Sequence, residues 1–150
     1  MSQLNFQFDA NGYLKPYDII ETDLAHFERT FVTTTVRRMI FAEYLQFNAA
    51  LKSLVDAPFD QWLDGSFTTR KPLPFDIDVV TFVDFDIFFK KKLQLERLKV
   101  QFVKVDAHFE AAYPPTHPRF YRTAFEQLYW KSVYQTDRFG RQKGFIHLKF

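Results

Sequence analysis

Two aspartates stand two residues apart in an otherwise apolar run, Phe75-Asp76-Ile77-Asp78-Val79-Val80. Ile77, Val79, Val80, Phe82 and Val83 are β-branched or aromatic, so Phe75–Phe85 is expected to be a strand. Side chains at i and i+2 of a strand share a face, about 6.6 Å apart along the chain. Asp76 and Asp78 then project together, while Ile77 and Val79 turn to the core. Two bare carboxylates on one face repel each other, and a divalent cation resolves the repulsion. Mg2+ commonly combines one or two carboxylates with substrate phosphates, and Mn2+ accepts the same oxygen donors. A third acid is available in Val103-Lys104-Val105-Asp106-Ala107-His108-Phe109, where Lys104, Asp106 and His108 alternate with apolar residues. If the two strands are neighbours, Asp106 joins the pair. Three carboxylates suit two cations set ~3.5–4 Å apart for phosphoryl transfer. Asp84 and Asp86 are alternatives for the third acid.

Upstream, Leu63-Asp64-Gly65-Ser66-Phe67 ends an apolar stretch. Gly65 lacks a Cβ, so backbone and phosphate can approach closely there. Ser66 adds a hydroxyl and an N–H, and a turn with free N–H groups is a natural phosphate seat. Arg70 and Lys71 lie in the following loop, within reach of the same anion. Other charged groups have plainer readings. Lys90-Lys91-Lys92, Arg97 and Lys99 read as a solvated helix face, with nucleic-acid contact the alternative. Arg138, Arg141 and Lys143 read as an exposed turn, with polyanion contact the alternative, and His108 as a strand histidine satisfied by a neighbour, with acid–base work beside Asp106 the alternative. Tyr129 and Trp130 read as packing residues.

The elements that must position these groups follow from punctuation and period. Asp9-Ala10-Asn11-Gly12 is a turn signal, so residues 1–20 form an arm or small hairpin. Thr22 is a cap for a helix over Asp23–Phe31. Val36, Ile40, Tyr44, Phe47, Leu51 and Leu54 recur at helical spacing and predict a helix from Thr33–Thr35 to Pro58. Strands are expected over Gln61–Phe67, Phe75–Phe85, Val100–Phe109 and Gly144–Phe150. Helices are expected over Asp86–Lys99 and Arg119–Gln135, the latter with Tyr121, Phe125, Leu128 and Ser132 on one stripe. The order implies one α+β domain over 1–150 with a small mixed sheet flanked by helices, residues 136–150 being its last turn and strand.

The Gly-Ser turn, the short loop and the Asp-x-Asp strand together resemble the nucleotidyltransferase fold of the DNA polymerase β superfamily. That pattern is an apolar residue, Gly-(Gly/Ser), roughly nine to thirteen residues, then Asp-x-(Asp/Glu) alternating with apolar positions, with a third acid on a later strand. Leu63, Gly65 and Ser66, then Asp76-Ile77-Asp78-Val79, fit it; Asp64 stands where an apolar residue is more usual. The specific motif covers Leu63–Val79, plus Asp106 by position, although the resemblance extends over most of the chain. Trp62–Phe67, the Pro72/Pro74 loop and the tail Asp137–Ile146 look like small bacterial nucleotidyltransferase-like proteins found near toxin–antitoxin or phage-defence genes. The resemblance implies NTP as substrate with Mg2+ (or Mn2+), held by Asp76, Asp78 and Asp106. Gly65 and Ser66 would grip triphosphate, assisted by Arg70 or Lys71. An acceptor, a partner protein or an RNA, would take the nucleoside monophosphate. Minimal members often carry Gly-Ser-x-Ala-Arg-Gly where this chain reads Gly65-Ser66-Phe67-Thr68-Thr69-Arg70, with the Arg displaced by one and no second Gly. That departure keeps a second expectation open, a binding module or antitoxin on the same fold with weak or no turnover.

Composition sets bounds. A chain of 150 residues can bury about 70% of its unfolded surface, enough for a core without staples. Hydrophobic residues at 47% exclude disorder throughout, and 20 Phe imply a phenylalanine-filled core. With Cys 0 there is no disulfide framework, thiolate nucleophile or cysteine zinc site, and a reducing compartment fits. Met1–Phe6 shows neither a basic nor an apolar leader segment, and no apolar run is long enough to span a membrane, so a cytoplasmic location is expected.

Overall fold

A computed structural model describes residues 5–150. The described residues form a mixed α/β fold with two sheets. β1 (Gln7–Phe8) and β2 (Leu14–Lys15) form an antiparallel hairpin across the Asp9–Gly12 turn. Met1–Leu4, the start of the expected arm, lie outside the described residues. The main sheet has the order β3-β7-β4-β5-β6. It comprises β3 (Ile19–Glu21), β4 (Asp60–Asp64), β5 (Ile77–Asp84), β6 (Val105–Ala112) and β7 (Phe145–Lys149). The outer pairs β3–β7 and β5–β6 are parallel, and β7–β4 and β4–β5 are antiparallel. The helices are α1 (Leu24–Phe31), α2 (Thr35–Val55), α3 (Phe85–Lys90), α4 (Lys92–Gln101) and α5 (Phe120–Tyr134).

One sheet face is covered by α1, α2 and α4. Leu63, Ile77, Val79, Val83, Val105, Ala107 and Phe109 meet Phe27, Tyr44, Phe47, Leu51, Leu95 and Leu98 there, all buried. A buried polar chain sits within this layer: Tyr44 Oη donates to Gln61 Oε1 (2.6 Å), and Gln61 Nε2 donates to Asn48 and Thr81. The other face carries Trp62, Val80, Phe82 and Phe145 against Trp130 and Tyr134 of α5. Strand alternation therefore sends Asp78 and Asp106 to the α5 side, as the period-2 pattern requires.

Several boundaries differ from the sequence reading, each for a physical reason. Asp23, not Thr22, caps α1, its carboxylate accepting from His26 N at 2.7 Å. Thr34, one of the three candidate threonines, caps α2 as expected, but the helix stops at Val55 because Asp56 turns left-handed (φ 51°), two residues before Pro58. β4 ends at Asp64, and Ser66–Thr68 form a single 3₁₀ turn instead of continuing the strand. The expected helix over Asp86–Lys99 is two helices. Lys91 leaves helical geometry (φ −107°, ψ 14°), which lets Ile87 and Phe88 on one side and Leu95 and Leu98 on the other reach the core. The strand expected from Val100 starts at Val105. α4 runs through Gln101, a turn closes from Val105 N to Phe102 O, and Val100 and Val103 point to solvent. β3 was not expected; its three residues pair with the C-terminal strand. The Tyr121/Phe125/Leu128/Ser132 stripe faces outward, because Thr123, Trp130 and Tyr134 take the inner side of α5.

Candidate functional site

One end of the sheet gathers the starts of the parallel strands β5 and β6, the end of β4 and the approach to β7. Register fixes the neighbours: Asp78 lies opposite Asp106 on β6 and opposite Asp64 on β4. Asp76 precedes β5 by one residue and points the same way. Asp76, Asp78 and Asp106 each offer an oxygen, and these oxygens all lie within 4.8 Å of one another. The strand pairing that the third acid required is therefore present. Asp84 and Asp86 are elsewhere: Asp84 caps α3 at the far end of β5, and Asp86 pairs with Lys90.

Crowding and burial shift the carboxylates of this cluster upward. Asp78 is pushed up to about 7, first by burial, then by Asp76, Asp106 and Asp64, with Lys143 opposing. Asp76 is raised by burial and by Asp106, with Lys104 opposing. Asp64 is likewise raised to about 7 by burial, although Lys143 Nζ lies 2.8 Å from its Oδ2. The desolvation of a nearly enclosed carboxylate outweighs one ion pair. Among the described residues, Asp64 Oδ1 and Tyr134 Oη have no hydrogen-bond partner although both atoms are buried here. Native interiors leave few such atoms unsatisfied, and each calls for an explanation. A cation with its water shell among these oxygens meets that demand, and the all-oxygen donor set fits Mg2+ or Mn2+.

Beside the carboxylates opens a cleft of about 1020 Å3. Gly65, Ser66, Arg70 and Lys71 line it together with Asp64, Asp78, Tyr134 and Lys143. All seven residues singled out in the sequence thus come to one end of the molecule. Gly65 has a role beyond backbone approach. At φ +82° a Cβ would lie 2.6 Å from Asp78 Oδ2, so the missing side chain is the space the Asp78 carboxylate occupies.

The loop after Gly65 is held by a group the sequence reading did not single out. Arg37, buried on α2, donates to the carbonyls of Phe31 (3.1 Å), Phe67, Thr69 and Lys71 (2.7 Å each). Its planar fork satisfies several carbonyls at once. The loop also leans on the N-terminal hairpin: Arg70 N donates to Gly12 O (3.0 Å), and the Arg70 guanidinium lies 4.5 Å over the Phe8 ring. Asp64, Lys143 and Tyr134 were likewise not assigned to the site. Asp64 is signalled locally by standing where an apolar residue is usual, whereas Lys143, expected in an exposed turn, is buried against it.

His108 Nε2 is 3.5 Å from Asp106 Oδ1 and packs on Trp130, whose Nε1 donates to Glu110. Burial lowers the His108 pKa, so at neutral pH it is uncharged beside the cluster. Lys99 pairs with Glu96. Asp137 organises the 137–141 turn, accepting from Phe139 N and Arg141 N and from Tyr13 Oη at 2.6 Å. Among the described residues no helix is long and apolar enough to cross a membrane.

No curated protein and no solved structure matches this chain. The chain belongs to DUF6932, a family of unknown function, which it matches over residues 6–149.

Proposed function

We propose that this chain is a cation-dependent nucleotidyltransferase-like protein of the polymerase β type. It would transfer a nucleoside monophosphate from an NTP to a macromolecular acceptor. The observation that carries the reading is the joining of two features at one sheet end: three carboxylates with oxygens within 4.8 Å of one another, and a cleft lined by Asp78, the Gly65-Ser66 turn, Arg70 and Lys71. Mg2+ or Mn2+, when bound by Asp76, Asp78 and Asp106, supplies charge neutralisation for the α-phosphate. Gly65 and Ser66 orient the triphosphate, and Arg70, Lys71 and Lys143 supply positive charge along it. The acceptor hydroxyl forms a bond to the α-phosphorus, the bridge to the β-phosphate breaks, pyrophosphate leaves, and the hydroxyl proton passes to solvent or a carboxylate. Positioning and electrostatics are the protein's share of such a reaction. In this reading the acceptor brings its own recognition surface. A partner protein or an RNA, in a toxin–antitoxin or defence setting, fits that requirement.

A second reading has one observation in its favour. Arg70 is turned to the N-terminal hairpin by Gly12 and Phe8, which weakens its grip on phosphate and suits a module that binds without turnover.

The test is label transfer from NTPs carrying phosphorus-32 at the α or the γ position, with Mg2+ and cell extract as acceptor source. The expected result is a macromolecule labelled from α only, and no label with Asp76→Asn/Asp78→Asn. Label from γ would identify a kinase instead. NTP binding with no transfer from either position establishes the second reading.

A further inference from the structure

We propose, resting on the cation-dependent reading above, that Tyr134 and Asp64 are positioning residues for the cation. Tyr134 Oη and Asp64 Oδ1 accept the two hydrogens of one water in its hydration shell and so fix the orientation of that shell. Both atoms are buried and have no hydrogen-bond partner among the described residues. Both residues line the cleft that Asp78 lines.

The sheet sets the positions. β4, β5 and β6 are consecutive neighbours, and Asp64, Asp78 and Asp106 occupy matched register positions on them. The row runs from interior to solvent, with side-chain exposure of 5% at Asp64 and 56% at Asp106. Asp76, Asp78 and Asp106 form the group whose oxygens lie within 4.8 Å of one another, and Asp64 is not among them. Asp64 stands one strand over from Asp78 on the buried side, a spacing of about 4.8 Å. A water spans that spacing: a contact of about 2.1 Å to the cation and a hydrogen bond of about 2.8 Å together reach about 4.9 Å. Lys143 occupies Asp64 Oδ2 at 2.8 Å, which leaves Oδ1 for the water.

Tyr134 supplies the second acceptor. It is the last residue of α5, and its ring packs between Trp130 and Phe145, at 5.5 and 5.7 Å between ring centroids. That packing holds the hydroxyl in one place. Burial, then Asp78, Asp64 and Asp106, raise its pKa well above the usual phenol range, so the group stays neutral. A neutral phenol oxygen accepts as well as donates. A water held by a divalent cation gives its lone pair to the metal and presents two polarised hydrogens, so it needs two acceptors. Mg2+ keeps several waters, and groups that orient a metal's ligands from outside typically matter 10–100-fold in affinity. The buried side of the site is thereby committed to water, and the solvent side stays open to phosphate.

The experiment is a Mn2+ titration followed by electron paramagnetic resonance on wild type, Tyr134→Phe, Asp64→Asn and the double variant, with thermal melting in EDTA as the fold check. Tyr134→Phe removes one oxygen. In EDTA it is expected to melt at or above wild type, because a buried hydroxyl without a partner adds nothing to the fold. Its Mn2+ dissociation constant is expected to rise about 10–100-fold. Asp64→Asn weakens Mn2+ binding as well. Both changes lose the same water, so the double variant is expected to bind at least about 5-fold tighter than the product of the single losses. Tyr134→Phe that binds Mn2+ like wild type overturns the proposal. So does Tyr134→Phe that melts lower in EDTA, which shows a hydroxyl satisfied within the fold, or single losses that simply multiply. The Tyr134→Phe result decides alone if Asp64→Asn, with Lys143 unpaired, does not fold. Wild type that binds no Mn2+, or Asp76→Asn/Asp78→Asn that binds it equally well, refutes the cation reading and this inference with it. Binding lost in that variant but kept in Tyr134→Phe refutes this inference alone.

Discussion

Replacing Asp78 with Asn is expected to stabilise the cation-free protein and abolish its response to cations. Asp78 sits among Asp76, Asp106 and Asp64 and is pushed from 3.8 to about 7. Its charged form is thus disfavoured in the fold by up to about 4 kcal/mol, at about 1.4 kcal/mol per tenfold change. The carboxylate is part-buried, so solvent screening leaves about 2 kcal/mol as the working figure. The sign follows from proton binding. Between pH 4 and 7 the folded state holds a proton that the unfolded state has lost, so stability falls as pH rises through that window. Asp64, raised for the same reason, adds to the slope. At pH 8 in EDTA, Asp78→Asn removes the charge without changing side-chain size and should raise Tm by about 4–8 °C for a chain of this length. Wild type in EDTA should melt higher at pH 5.5 than at pH 8. Millimolar Mg2+ or Mn2+ should restore wild type at pH 8 and leave Asp78→Asn unmoved. Melting of Asp78→Asn at or below wild type at pH 8 in EDTA would refute the repulsion argument. An undiminished cation response in the variant would refute the assignment of the site.

Three further outcomes follow. Gly65→Ala puts a Cβ 2.6 Å from Asp78 Oδ2 at a positive φ; it should cost about 1–3 kcal/mol and, by displacing Asp78, weaken Mn2+ binding in a titration followed by electron paramagnetic resonance. Arg37→Ala removes a buried guanidinium that bonds the carbonyls of Phe31, Phe67, Thr69 and Lys71. Urea unfolding should show a loss of about 3 kcal/mol or more, and Arg37→Lys should recover little because an ammonium cannot span the four carbonyls. Lys143→Met strands the buried Asp64 carboxylate and should cost about 3–5 kcal/mol at pH 8. The loss should shrink at pH 6 as Asp64 takes up a proton, and a pH-independent loss would show that Lys143 acts through packing alone.

The carboxylate face was legible because strand alternation is a local code. Ile77 and Val79 against Asp76 and Asp78, and Val105 and Ala107 against Asp106, show which residues share a face before any partner is known. The pairing of β5 with β6 then brings the acids together. Contacts between distant segments left no such mark. Lys143 meets Asp64 across 79 residues, and β3 exists because Ile19 and Ile20 pair in parallel with the C-terminal strand. The α5 stripe shows a different limit. Helical period identifies a face but not the side on which the core lies, and on α5 both sides are apolar. Val100 and Val103 show that β-branching alone does not start a strand when register begins it at Val105.

The most direct test of the central claim is a calorimetric titration of each of the four NTPs into wild type and into Asp76→Asn/Asp78→Asn, in Mg2+ and again in EDTA. Saturable binding of at least one NTP to wild type in Mg2+ is expected, lost in EDTA and lost in the double variant. Binding that persists in EDTA or in the double variant, or no binding of any NTP to wild type in Mg2+, would contradict it.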